Sequence, residues 1–214
     1  MRGIDIGDVE KELTSHGFAL REGTLQDVSL ASTLQRKWKQ VLQKAGAKET
    51  LLRPMHQSEA PARSLSKIHG LRAQPLHTDG AHLKRMPDVI VLSAPSPSLT
   101  ATVVWKLPAS FPSSLRNGVF TVRGNDGAFL AHAFTNQRLR FDPGCMSPAD
   151  HLATEAAAFL EGVRAEAHTH NWSQGGTLLF IDNRKTLHAR EAVVDDEDSA
   201  SRVIARAAYV LEAP

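Results

Sequence analysis

The chain of 214 residues holds one cysteine, Cys145. That excludes an internal disulfide framework and any zinc site built on several thiolates, and it fits a reducing compartment. Nothing marks Cys145 as an activated nucleophile, so it reads as a small packed residue. Charge of either sign is also missing as a signal: 25 Lys+Arg face 23 Asp+Glu, formally +2, with no dense basic run. Nucleic acid is therefore not an expected partner. No apolar run approaches the ~18–20 residues that span a bilayer, so no membrane association is expected. The opening "MRGIDIGDVEKEL" is charged from the start and lacks the apolar core of a signal peptide. A cytoplasmic protein is the expectation. A hydrophobic fraction of 42% suffices for a core, and the length suits a single domain over 1–214.

The chain changes character along its length. "IGDVEKELTSH" reads as a helix and "GFALREGT" (17–24) as a short strand. Over 24–46, Leu25, Val28, Leu30, Leu34, Trp38, Val41 and Leu42 recur near helical spacing, and Gly46 stands where a closing glycine would. This makes a helical N-terminal part over about 1–50. The segment 47–73, with Pro54, Pro61 and Gly70, reads as a long loop. Loops of that length are often functional, and 52–73 could cover a substrate. Beyond residue 74 the runs are short and rich in Val, Phe, Leu or Thr, broken by Gly, Pro, Asn and Ser: 88–94, 100–107, 118–124, 128–134, 137–142, 177–182, 186–190 and 201–213. One helix is expected over 147–167, with Ser147 as its cap, and an acidic turn over 192–201. Many short strands with helices among them predict a β-sandwich or barrel decorated by helices.

Two residues two apart on a strand project from one face. In "QPLHTDGAHL" (74–83) this puts His77 and Asp79 together, with Thr78 pointing away. Such a pair arises easily by chance and decides nothing alone. A further histidine, His188, lies in "DNRKTLHAREAV". Two imidazoles and one carboxylate hold Fe(II) on one face and leave three positions open. In "SRVIARAAYVLEA", Arg202 and Arg206 are four apart, so on a strand they share a face. Inward arginines need an anion, and their planar forks suit carboxylates; the same spacing also fits an edge strand whose arginines face water. His82 either lines a pocket or sits in a solvated loop. His168 and His170 alternate on one strand without a carboxylate and read as surface or satisfied core positions. Asp182 and Asn183 read as the turn leading to His188. Trp105 and Trp172 read as core.

With these residues in place, the chain resembles the Fe(II)/2-oxoglutarate dioxygenases of the TauD/TfdA group, nearest to the clavaminate synthase-like and amino-acid hydroxylase branch. The resemblance rests on "HGFALREG", "PLHTDGAHLKRMPDVIVLSA", "RFDPGCMSP" and "NWSQGGTLLFIDNRKTLHAREAV…RVIAR". Its most specific piece, "GGTLLFIDNRKTLHAR", is similar to G-D-L-L-x-I-D-N-x-x-x-L-H-x-R. The resemblance implies a double-stranded β-helix (jelly roll), mainly β with helical inserts. It implies His77, Asp79 and His188 as iron ligands, with Fe(II), 2-oxoglutarate and O2 as cofactor and co-substrates. Arg202, 14 residues after the distal histidine (202 − 188), matches the arginine that grips the far carboxylate of 2-oxoglutarate, and Thr102 matches a threonine that assists it. Arg206 matches an arginine that faces substrate in some members. The implied activity is oxidation, chiefly hydroxylation, of an unactivated C–H bond in a small molecule such as an amino acid or natural-product intermediate. Arg206, His82 and the loop residues Arg53, His56, Arg63, Ser64 and Ser66 would shape the substrate pocket. The chain departs from the group in its short spacing of 111 residues between the metal histidines (188 − 77) and in lacking Gly-Gly-Glu before Thr102. Asp79 sets it apart from related halogenases, which carry Gly or Ala at that position. Two rivals stand beside this reading. One is a cupin-like metal- or ligand-binding jelly roll without turnover, which would not need the arginine pair. The other is an oxygenase acting on a protein or nucleobase, whose basic groove or docking surface the sequence does not show.

Overall fold

The computed structural model of the protein describes residues 3–42, 46–62 and 64–211. The helix Ile6–His16 starts at Asp5, whose carboxylate accepts from the N–H groups of Gly7 and Asp8. It ends at Gly17, at φ +83°, where an added Cβ would lie 2.5 Å from the Thr186 Cγ2. The helix Leu25–Gln35 begins with a reciprocal cap between Thr24 and Asp27. It stops sooner than the apolar spacing predicts. Arg36 turns left-handed at φ 52°, and Trp38–Gln40 becomes a strand paired with Tyr209–Leu211. Trp38 and Val41 mimicked a helical stripe, but Trp38 packs against Phe180 and Tyr209. Gly46 lies beyond that helix, which ends at Gln35, and residues 43–45 before it lie outside the described residues. The N-terminal part is thus mixed rather than helical: strands Phe18–Glu22, Trp38–Gln40 and Thr50–Leu52 lie in or at the end of it.

The main sheet is antiparallel. Its order is Phe18–Glu22, Thr177–Asp182, Val89–Ala94, Ile204–Leu211 and Trp38–Gln40, with Thr50–Leu52 also pairing to Ile204–Leu211. A second antiparallel sheet runs His168–Trp172, Ser98–Lys106, Thr186–Arg190. The strands "VIVLSA" and "TLLFID" are buried nearly throughout and mostly apolar because both faces are covered. Val89, Val91, Leu178 and Phe180 pack outward on the two N-terminal helices, through Ile6, Val9, Leu13, Leu25 and Val28. Ile90, Leu92, Leu179 and Ile181 face inward, meeting Val104 and Trp172 of the second sheet. The far side of that sheet, Val103, Trp105 and Leu187, packs on the helix His151–Gly162 through Ala153, Ala156 and Leu160. Each such buried Leu, Ile or Phe contributes roughly 1.5–3 kcal/mol. Two facing antiparallel sheets clad by helices make the expected jelly roll.

Other local expectations are revised. The helix expected over 147–167 starts at His151, capped by Asp150 rather than Ser147, and Met146–Pro148 is a strand paired with Phe120–Val122. Within 137–142 only Arg138–Leu139 is strand. The acidic turn contains the short helix Asp196–Ser201, so Arg202 precedes its strand instead of lying on it. The loop 47–73 carries the strand Thr50–Leu52 and the short helix Leu65–His69, and Arg63 lies outside the described residues. Among the described residues no helix is long and apolar enough to cross a membrane.

Candidate metal centre

His188 lies on the strand Thr186–Arg190 of the second sheet, and the chain at His77 adds to that sheet's edge. The His77 N–H donates to the His188 carbonyl at 3.1 Å, and the His188 N–H donates to the His77 carbonyl at 2.9 Å. This reciprocal pair sets the imidazoles side by side, with centroids 4.8 Å apart. Asp79 follows two residues later. Thr78 turns the other way: its hydroxyl accepts from the Phe141 N–H at 3.1 Å. His77 Nε2 and His188 Nε2 lie 3.6 and 3.8 Å from the same oxygen, Asp79 Oδ1. One ligand-type atom from each of the three side chains falls within 4.8 Å of the others.

The segment that carries His77 and Asp79 has little regular structure, so its buried carbonyls need donors from elsewhere. Arginines supply most of them. Arg190 donates to the carbonyls of Gly70, Leu71 and Arg72, and Arg164 donates to that of Gln74. Arg140 donates to those of Ala81, Leu83 and Lys84, and Arg138 to those of Met86 and Pro87. Four of the 25 basic residues are therefore used to hold this segment.

The electrostatics of the three residues call for a cation. His77 Nδ1 lies 3.0 Å from the Pro75 carbonyl, so that nitrogen carries the proton and Nε2 offers its lone pair. Burial pushes the His188 imidazole down to about 3, so it is neutral at any working pH. Burial alone would raise the Asp79 carboxyl, but Arg206 and the two histidines hold it well below the ordinary range. Burial likewise disfavours charge on His77, and the Asp79 carboxylate reverses that and raises it. An ion would displace the proton that Asp79 favours on His77 Nε2, after which two lone pairs and a carboxylate oxygen converge on one point. Two neutral imidazoles and one carboxylate suit Fe(II) and related divalent ions. Arg206 Nε donates to the other oxygen, Asp79 Oδ2. The carboxylate is therefore oriented, with Oδ1 toward the imidazoles and Oδ2 toward the guanidinium.

Arg206 lies on the inner face of the main sheet, opposite Leu92. Arg202 does not share its strand, yet it is 4% exposed. Its Nη1 donates to Ser98 Oγ at 2.7 Å and to the Thr100 carbonyl at 2.8 Å. The nearby carboxylate of Asp198 is instead occupied by Ser98 Oγ, the Leu99 N–H and the Thr100 hydroxyl. Among the described residues no carboxylate lies within ion-pair distance of Arg202; Asp198 reaches this buried cation only through the shared Ser98 hydroxyl and offsets its charge in part. Thr102 is buried on the strand Ser98–Lys106, and its hydroxyl accepts from Trp172 Nε1 at 3.0 Å. Trp172 is core, as expected. His82 sits in the turn beyond Asp79 and is not among the three converging residues. His170 is neither on the surface nor satisfied: it is buried, with Nε2 lacking a partner among the described residues.

No family model matches this sequence, and no curated protein matches it significantly. Solved structures do match. An asparagine oxygenase in complex with Fe(II), 2S,3S-3-hydroxyasparagine and succinate has a TM-score of 0.71 and 19% identity, covering 96% of this chain and 78% of its own. A variant of the non-haem iron oxygenase OrfP with (3S)-hydroxy-L-arginine has a TM-score of 0.75 and 16% identity, covering 99% and 81%. PvcB from Pseudomonas aeruginosa has a TM-score of 0.66 and 19% identity, covering 98% and 83%. The chain has the jelly-roll fold of these iron oxygenases. OrfP has also been solved with Fe and alpha-ketoglutaric acid.

The sequence did not reveal Asn183 as more than part of a turn, nor Asp198 as a partner of the segment before Thr102. The pairing of Asp198 with Ser98, 100 residues away, left no local signal.

Proposed function

We propose that this chain is a non-haem Fe(II)/2-oxoglutarate-dependent oxygenase that hydroxylates a C–H bond of a small, amino-acid-like molecule. The convergence of His77, Asp79 and His188 carries the reading. Bound there, iron with 2-oxoglutarate and O2 supplies an oxidation in which the co-substrate leaves as succinate and CO2 and one oxygen atom enters the C–H bond. His77, Asp79 and His188 would hold the iron. Arg202 would receive the far carboxylate of 2-oxoglutarate, with Thr102 assisting, because it is a buried cation still short of an anion. A metal-binding jelly roll without turnover would have no use for that cation.

Arg206 keeps Asp79 oriented through Nε, and its terminal N–H groups have no partner among the described residues. They would serve an anionic group of the substrate, such as an amino-acid carboxylate. Leu92 and Ile204, on the inner face beside Arg206, would help to exclude water and hold the substrate in one pose. The loop 52–73 would cover the substrate, with His82 at the rim. Two of the matching oxygenases were solved with hydroxylated amino acids, which supports the substrate class.

The test is succinate release from 2-oxoglutarate under Fe(II) and O2, screened across amino acids and carboxylates. The expected result is release coupled to one amino-acid class and lost in His77→Ala. Release that persists unchanged in His77→Ala would remove the site from this reading.

A further inference from the structure

Asn183 stands in the turn between the strands Thr177–Asp182 and Thr186–Arg190, five residues before His188. It is 0% exposed. Its side-chain amide meets both main-chain groups of Asp79, 104 residues away: Oδ1 accepts from the Asp79 N–H at 2.8 Å, and Nδ2 donates to the Asp79 carbonyl at 3.0 Å. Nδ2 also donates to the Pro87 carbonyl at 2.9 Å. The Asn183 N–H donates to the Asp88 carbonyl at 3.0 Å, anchoring the turn to the far end of the same segment. Only one amide orientation satisfies this set, because a flipped amide would point NH2 at an N–H and oxygen at two carbonyls.

From this we infer that Asn183 is a positioning residue of the metal centre, fixing the main chain of Asp79 against the turn that leads into His188. The inference rests on the metal reading above. The side-chain contact between Arg206 and Asp79 Oδ2 sets the rotation of the carboxylate. The Asn183 clamp sets the point from which that carboxylate starts. The side chain of Asn183 approaches main chain only, so it orders a ligand without touching the ion. Partners of this kind, once removed, typically weaken metal binding by about 10- to 100-fold. An aspartate at 183 would keep the acceptor for the Asp79 N–H but would face two carbonyls with an oxygen. Alanine would take this partner from both main-chain groups of Asp79 and leave the Pro87 carbonyl to Arg138 alone.

The test is titration of the purified protein with Co(II), followed by its visible absorption, in wild type, Asn183→Ala, Asn183→Asp and the control Leu160→Ala. Leu160 is buried on the other side of the second sheet, against the helix His151–Gly162. Both Asn183 variants are expected to bind Co(II) about 10- to 100-fold more weakly with altered absorption bands, while Leu160→Ala unfolds earlier but binds as wild type does. If Asn183→Ala does not fold, Asn183→Asp, which keeps the shape, carries the test. Wild-type affinity in the folded Asn183 variants, or an equal loss in Leu160→Ala, would overturn the inference. A wild type that binds no Co(II) would overturn the metal reading, and this inference with it.

Discussion

Arg202→Met distinguishes a co-substrate clamp from a structural arginine. Burial pulls the Arg202 guanidinium down to about 10, with Asp198 only partly opposing it. That displacement corresponds to roughly 3 kcal/mol by which the folded protein disfavours the charge. The two bonds from Nη1, to Ser98 Oγ and the Thr100 carbonyl, do not neutralise it. Methionine removes the only partly offset charge and fills much of the same volume. Loss of the two bonds and relief of the buried charge then oppose each other, and stability should change by less than about 1.5 kcal/mol, or rise. For a chain of this size that is a Tm change within about 6 °C. A carboxylate that pairs with Arg202 gains about 3 kcal/mol from charge-assisted bonds and from relieving that burial, which is about a hundredfold in affinity. The expected result is an apparent KM for 2-oxoglutarate, read from succinate release, about a hundredfold higher in Arg202→Met with Tm nearly unchanged. An unchanged KM would refute the reasoning, and so would a Tm loss well beyond 6 °C without a change in KM.

Two further outcomes follow from the titration of buried groups. Burial alone would raise Asp198, but hydrogen bonds from Thr100, Leu99 and Ser98 hold it below the ordinary carboxylate value of 3.8. A depressed carboxyl stabilises the fold above its unfolded value, and that contribution is lost as pH falls through the folded value. Thermal unfolding should therefore show Asp198→Asn less stable than wild type by a constant gap from neutral pH to about 5, closing below 3.8; a gap that does not change with pH would refute it. Burial and the neighbouring Asp142 push the Cys145 thiol up to about 12. At pH 8 it should hold roughly a thousandfold less thiolate than an ordinary cysteine, so a disulfide reagent should label it only as fast as the protein unfolds. Labelling at the rate of a free peptide thiol would contradict this.

Sequence pattern exposed the strands best where β-branched and aromatic runs stop at turn residues. "TLLFID" lies between Gly176 and Asn183 and forms a strand over the residues read from it, as does "TLHAR". Pattern failed where tertiary pairing overrode local spacing. Trp38 sits at helical distance from Leu34, but it is drawn into the main sheet by Leu211, and the left-handed Arg36 offers no Gly or Pro to announce the break. Caps misled for a related reason. Ser147 and Asp150 are both good helix starters, and the pairing of Met146–Pro148 with Phe120–Val122 decides for Asp150. The site was partly visible. The spacing of His77 and Asp79 and the motif around His188 marked the three residues that converge, but reading Arg202 and Arg206 as one strand was wrong in form. Arg202 reaches the interior from a helix end because Asp195 and Asp198 fold "DEDSAS" into a helix that no apolar periodicity marks. Asn183 was invisible as a clamp because its partner lies 104 residues away.

The irregular segment that bears His77 and Asp79 also bears on how the chain assembles. Its carbonyls are held by side chains up to 120 residues distant, and its two donors meet the third across 111 residues (188 − 77). No short fragment of the chain contains all three donors. In short zinc modules the ion gathers nearby ligands and drives folding; here the ligands come together only once both sheets have closed. Such distant pairings are slow to form, and their closure entropy is offset by the core rather than by the ion. Capture of an ion there would thus come late in folding. An ion bound there would join a scaffold that the core already holds, so its removal is expected to leave the chain folded.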